Sequence, residues 1–275
     1  MLICMTYSSC SVKQQMKQEF EYMPFNSKKD FLLLNYDCKT DVDDLHSIAA
    51  VASLIRIPSY SKLNYHAVAG SYGKQGGEYV PANSLFNLAF SDLWSDAHTN
   101  FDKAIQEVYF KVATVLKNGG HIWIAEAGQS DFSSSLIAKI QNNWTNINTN
   151  ERIHVIQHSE WNEKETREEN LIFVKENSKY QKIPDGNVVD NGSPGFSTSA
   201  EVNWRNIIEN EDVLAIWDLA TRLADAYNGA EGRYLNKAIK EGGMDFSDFC
   251  EVYHILDLEK ADNCQAYLEF IQNQY

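Results

Sequence analysis

The sequence predicts an α/β fold with a mostly parallel central sheet and helices on both faces. Short apolar runs of strand length, at residues 31–36, 65–69, 121–125 and 152–157, alternate with segments whose apolar positions recur at helical spacing. Those runs are nearly continuous in apolar character, as expected of strands covered on both faces. Polar turns, acidic or glycine-rich, follow the first three runs, at the strand ends where open α/β sheets bind ligands.

Taken in order, residues 1–30 are polar and mixed and read as an N-terminal extension, and a single domain is expected over 31–275. Phe31-Leu32-Leu33-Leu34-Asn35-Tyr36 is the first strand, and the acidic turn Asp37-Cys38-Lys39-Thr40-Asp41-Val42-Asp43-Asp44 follows it. Leu45, Ile48, Ala49, Val51, Ala52, Leu54 and Ile55 then mark a helix, with Pro58 as its stop. A second strand at 65–69 runs into the glycine-rich stretch 70–77, and helices are expected at about 82–93 and 104–116. Asn118-Gly119-Gly120 ends the latter, the third strand leads into 126–131, and a helix follows at 132–142. After the fourth strand, 180–199 is rich in Asn, Gly, Pro and Ser and reads as a long ordered loop, whereas 205–275 reads as mostly helical.

The formal net charge of -14 opposes binding to nucleic acid or anionic lipid, which clustered Lys and Arg would hold. A small neutral ligand or a bound cation fits better. No window approaches the roughly 20 apolar residues that span a bilayer, so no membrane association is expected. The cysteines, Cys4, Cys10, Cys38, Cys250 and Cys264, are odd in number and lack metal-type spacing, which points to a reducing, cytoplasmic compartment.

Four carboxylates within eight residues, Asp37, Asp41, Asp43 and Asp44, repel one another at the end of an apolar strand, and a hard cation would relieve the repulsion. Calcium, which takes six to eight oxygen ligands from flexible loops, is the first choice and magnesium the second. The competing reading is a solvated turn in which Asp43 or Asp44 caps the next helix. Spacing alone favours neither.

The turn resembles the N-terminal aspartate signature of the nucleoside hydrolases, D-x-D-P-G-x-D-D after an apolar strand. Asp37, Asp43 and Asp44 match its first and last two aspartates, while Lys39 falls on the middle one and Thr40-Asp41 on Pro-Gly. The related subgroup of unassigned function, whose turn reads D-x-x-x-D-x-D-D, is matched by Asp37, Asp41, Asp43 and Asp44. Gly73-Lys74 with Asn83 resembles the family's second-strand G-N and the Asn opening its next helix, with Lys74 in place of a ribose-contacting Asn. Gly128-Gln129-Ser130-Asp131 resembles the turn whose main-chain carbonyl reaches the metal, at Ser130 or Asp131. Glu160-Trp161-Asn162 resembles a segment contacting sugar hydroxyls, and Asp190 lies in a stretch similar to G-D-T-P-S-F. The family's late His-Asp pair has no clear counterpart.

The resemblance implies a Rossmann-like, nucleoside hydrolase-like fold and hydrolysis of the N-glycosidic bond of a nucleoside or related ribosyl compound. Asp37 and Asp41 would be catalytic; Asp37, Asp41, Asp44, Ser130, Asp131 and Asp190 would serve the metal; Asp43, Lys74, Asn83, Glu160 and Asn162 would bind substrate. It also implies a homo-oligomer. A non-catalytic binding protein that retains the fold is the alternative, motivated by Lys39, Lys74 and the missing late pair, and a third reading, motivated by the same lysines, is a metal-dependent hydrolase of a different sugar-like or phosphorylated substrate. Gly73, Gly76 and Gly77 match neither phosphate-loop fingerprint and read as a tight loop. His66, His121, His154 and His158 lie in or beside apolar strands and read as structural, with His158 the one to test. Residues 94–98 read as an aromatic and polar loop, either closing over a base or lying on the surface, with no role assigned.

Overall fold

The computed structural model describes residues 23–188, 191–258 and 261–275. In chain order the elements are β1 (Phe31–Tyr36), α1 (Asp43–Leu54), β2 (Tyr65–Ala69), α2 (Asn83–Phe90), β3 (Trp94–Asp96) and α3 (Phe101–Lys117). Next come β4 (Ile122–Glu126), α4 (Asp131–Asn143), α5 (Thr149–Arg152), β5 (Ile153–Gln157), α6 (Glu160–Glu165), α7 (Glu168–Asn177) and β6 (Lys179–Lys182). The C-terminal part holds β7 (Ser197–Thr198), α8 (Trp204–Ile207), α9 (Glu211–Tyr227), α10 (Lys237–Lys240), β8 (Met244–Asp245), α11 (Cys250–Ile255) and α12 (Cys264–Gln272).

Strands β1 to β6 form one all-parallel sheet in the order β3-β2-β1-β4-β5-β6, and β7 pairs with β8 in a small antiparallel ribbon. The expected α/β fold with a parallel sheet and helices on both faces is therefore the observed one, and it is Rossmann-like. Strand pleating explains the two layers, because successive residues point to opposite faces. On β1, Leu32, Leu34 and Tyr36 enter the core with α1, α2, α9, α11 and α12, whereas Phe31 and Leu33 enter the core with α3, α4 and α7. All six β1 residues are buried, which accounts for their unbroken apolar run.

Strand order reverses between β1 and β4, so the crevice for a ligand opens beyond the C-terminal ends of those two strands. Two edge strands depart from the sequence reading. Residues 94–96 form β3 rather than loop, held by pairing of Trp94 with Ala67 and of Asp96 with Ala69. Residues 179–182 form β6 on β5, although Lys-Tyr-Gln-Lys has no apolar run. Both are polar because an edge strand keeps side chains near solvent, which hides it from a hydrophobicity pattern. The 205–275 region is mostly helical as expected, with β8 as an addition. No helix among the described residues is long and apolar enough to cross a membrane. Cys38, Cys250 and Cys264 are free and buried, and Cys4 and Cys10 lie outside the described residues.

Candidate metal centre and ligand cavity

A cavity of about 540 Å³ lies beyond the C-terminal ends of β1 and β4. Its walls include Asp37, Asp41 and Asp43 from the turn after β1, Ala127 after β4, His158 and Asn162 after β5, and Asp245 and Asp248 from the late chain. Sheet topology explains the convergence: parallel strands deliver every following turn to the same edge. The Asp37–Asp44 turn is shaped by its own backbone, with Cys38 in the left-handed region at a φ of 51°.

Each aspartate is tied down. Asp37 is 7% exposed; its Oδ2 accepts from Gln129 Nε2 at 2.7 Å and its Oδ1 from the Lys39 amide at 2.8 Å. Asp44, buried at 2%, accepts from the Cys38 amide through Oδ2 at 2.6 Å, but its Oδ1 is buried without a hydrogen-bond partner. Asp41 Oδ1 accepts from the Val42 amide at 2.6 Å and from Asn236 Nδ2 at 3.2 Å. Asn236 Nδ2 also donates to Asp245 Oδ2 at 2.9 Å, joining the early turn to the late segment. Near Asp248 the ring of His158 sits between carboxylates, with Nδ1 2.7 Å from Glu251 Oε1 and Nε2 3.6 Å from Asp248 Oδ1.

Too much negative charge is concentrated here for all these groups to ionise. Burial pushes Asp37 up to about 6, against the opposing effects of the neighbouring Asp44 carboxyl and of hydrogen bonds from the Lys39 amide and Gln129. Burial, reinforced by Asp245, takes Asp41 to about 7. Asp43, Asp44 and Asp248 are held well above the carboxylate range, first by burial and then by one another and their acidic neighbours. Asp245 is also raised by burial. Burial lowers His158, but Glu251 together with Asp185 and Asp245 more than offsets it, so its net shift is upward.

The residues fit a hard cation on two counts. One carboxylate oxygen each from Asp43, Asp44 and Asp248 can be chosen so that all lie within 4.8 Å of one another, and Asp44 keeps one buried oxygen without a hydrogen-bond partner. The donors are all oxygens, as calcium and magnesium prefer. A helix-capping role is poorly supported by geometry: the N-cap of α1 is Val42, with no side-chain cap bond, and Asp44 accepts from Cys38 outside the helix.

The other sequence candidates are placed as follows. Asn162 lines the cavity, with Nδ2 3.5 Å from the Ala127 carbonyl. Asp131 opens α4 and is bound by Arg167 Nη1 at 2.6 Å and Asn170 Nδ2 at 2.7 Å, and neither it nor Ser130 lines the cavity. Lys74 is exposed, Asn83 donates to Asp96 at 3.0 Å, and Glu160 is exposed on α6; these three also stand apart from it. Asp190 lies outside the described residues.

Sequence reasoning missed Gln129, Asn236, Asp245, Asp248 and Glu251. The signal for the last three was present in Met244-Asp245-Phe246-Ser247-Asp248-Phe249-Cys250-Glu251, where acids alternate with aromatics. A carboxylate among buried apolar residues needs a partner, and here the partners are Asn236, His158 and the early aspartates. Compared with known proteins, the chain matches no family model, no curated protein and no solved structure.

Proposed function

We propose that the protein is a metal-dependent hydrolase that cleaves the N-glycosidic bond of a nucleoside or related ribosyl compound. The observation that carries this reading is the meeting of Asp43 and Asp44 with Asp248, some two hundred residues later, at the wall of a cavity that Asp37, Asp41, Asp43 and Asp248 line. Asp43, Asp44 and Asp248 would hold the cation, with calcium favoured over magnesium for a carboxylate-rich, loop-borne set. When bound, it supplies positive charge that orients sugar hydroxyls and makes a nearby water more acidic.

The chain's own groups do the rest. Asp37, oriented by Gln129 and the Lys39 amide and raised to about 6, would take a proton from the attacking water. As the bond to the base breaks, positive charge grows on the sugar ring, and the surrounding carboxylates stabilise it. His158, oriented by Glu251 and lining the same cavity, would protonate the leaving nitrogen. Asn162 supplies an amide for the sugar hydroxyls.

The experiment is release of reducing sugar from a panel of purine and pyrimidine nucleosides by calcium-loaded protein, wild type beside Asp37→Asn. Turnover by wild type that falls about a hundredfold or more in the variant is the expected result. Calcium binding with no cleavage of any nucleoside or nucleotide would overturn it in favour of a non-catalytic binding protein, a reading that the lysine at position 39 in the cavity wall favours.

A further inference from the structure

Besides its carboxylates, the cavity is lined by two lysines, Lys39 from the acidic turn and Lys237 from the start of α10. Opposite charges in one cavity ordinarily pair. Yet among the described residues neither lysine forms an ion pair with any carboxylate. Lys39 instead has its ammonium 4.3 Å from the centre of the Tyr72 ring, and its charge favours ionised Asp37 from beyond ion-pair distance, so no direct salt bridge occupies the ammonium.

The two lysines belong to segments that are fastened together. Lys39 pairs with Tyr79 in a β-bridge, and Arg233 donates to the Tyr79 carbonyl through Nε at 3.2 Å and Nη2 at 2.6 Å. Asn236, next to Lys237, reaches back to Asp41. The same wall also offers Thr40, Gln75 and Asn187, which can hydrogen-bond without charge. Burial grades across the cavity, from buried Asp37 and Asp248 to half-buried Lys39 and exposed Lys237. A ligand matched to this layout has hydroxyls at one end and a strong anion at the other.

We infer that the substrate is a ribosyl N-glycoside bearing a phosphate monoester, such as a nucleoside 5′-monophosphate, and that Lys39 and Lys237 bind its phosphate. Lysine serves phosphate as a mobile point charge, which suits two ammoniums on separate segments. This rests on the N-glycoside hydrolase reading. In the reaction the water oxygen bonds to the anomeric carbon and the bond from that carbon to the base nitrogen breaks with its electron pair. The water's proton passes to a carboxylate, the leaving nitrogen takes up a proton, and the phosphate ester stays intact.

The test is calorimetric titration of ribose 5-phosphate and of ribose into the calcium-loaded protein, with adenosine and adenosine 5′-monophosphate compared in turnover. Ribose 5-phosphate is expected to bind wild type about tenfold to a hundredfold more tightly than ribose, from two charge-assisted contacts. That advantage should largely vanish in the Lys39→Ala/Lys237→Ala double variant and return in part with arginine at both positions. Equal binding of the two sugars to wild type, or binding of neither, overturns the phosphate assignment without need of a variant. If nucleosides are nonetheless hydrolysed, the hydrolase reading survives that failure. If ribose 5-phosphate binds through the lysines but no N-glycoside is cleaved, the phosphate site stands and the hydrolase reading falls.

Discussion

Replacing Asp41 with asparagine tests whether the acidic cluster is held together by protons when no cation is bound. Asparagine keeps the oxygen that accepts from Val42 and Asn236, so Asp41→Asn changes charge with little change of shape. Asp41 is raised from 3.8 to about 7 in the folded chain, first by burial and then by Asp245. A carboxyl with a raised folded pKa binds more protons folded than unfolded, so its stability contribution is complete below the unfolded pKa and is lost as pH rises toward the folded one. Each unit of difference corresponds to about 1.4 kcal/mol, so wild type should lose about 3 kcal/mol relative to Asp41→Asn between roughly pH 4.5 and pH 8. The assay is urea unfolding in chelator, followed by tryptophan fluorescence, with fully buried Trp217 among the reporters. Acid effects of groups distant from the cluster are common to both proteins and cancel in the difference. A wild-type minus variant difference that stays flat across this range would refute the account of the cluster's electrostatics.

Gln129→Ala removes the donor to Asp37 Oδ2 and the acceptor of the Gly73 amide, both buried, and should cost about 1–3 kcal/mol of stability. The same change should raise the Asp37 pKa above about 6 and move the acid limb of the activity profile to higher pH, which a pH series on the variant checks. In Gly128→Ala the new methyl would meet the Ser71 carbonyl and the Asp37 backbone and Cβ, so a loss of about 1–3 kcal/mol is expected in thermal or urea unfolding. Because Asp43, Asp44 and Asp248 are raised, calcium uptake should release protons, and affinity should increase as pH rises. Calorimetry in two buffers of different ionisation enthalpy reads the release directly, and identical heats in both would count against it.

Legibility in the sequence followed burial. The four strands at the sheet centre were readable because burial on both faces demands an unbroken apolar run, as in Phe31–Tyr36. The edge strands β3 and β6 were not, since Trp-Ser-Asp and Lys-Tyr-Gln-Lys owe their extension to a neighbour's free edge. In the cavity, the local half was visible because Asp37, Asp41, Asp43 and Asp44 are close in sequence. The distant half was not, because nothing local reveals that Asp248 approaches Asp43 or that Asn236 joins Asp41 to Asp245. Gln129 was not legible because an uncharged amide beside Ser130 and Asp131 carries no local signal, whereas the folded turn aims Gln129 at Asp37 and commits Asp131 to Arg167.

The most direct test of the account is calcium titration of the metal-stripped protein by calorimetry, wild type beside Asp248→Asn. The variant alters one carboxylate far in sequence from the acidic turn, so it separates a built site from a local run of charge. A single calcium bound by wild type, with affinity weakened about tenfold or more in Asp248→Asn, is the result expected from removing one charged ligand. Absence of calcium and magnesium binding by wild type, or equal binding by both proteins, would contradict a metal centre formed by Asp43, Asp44 and Asp248.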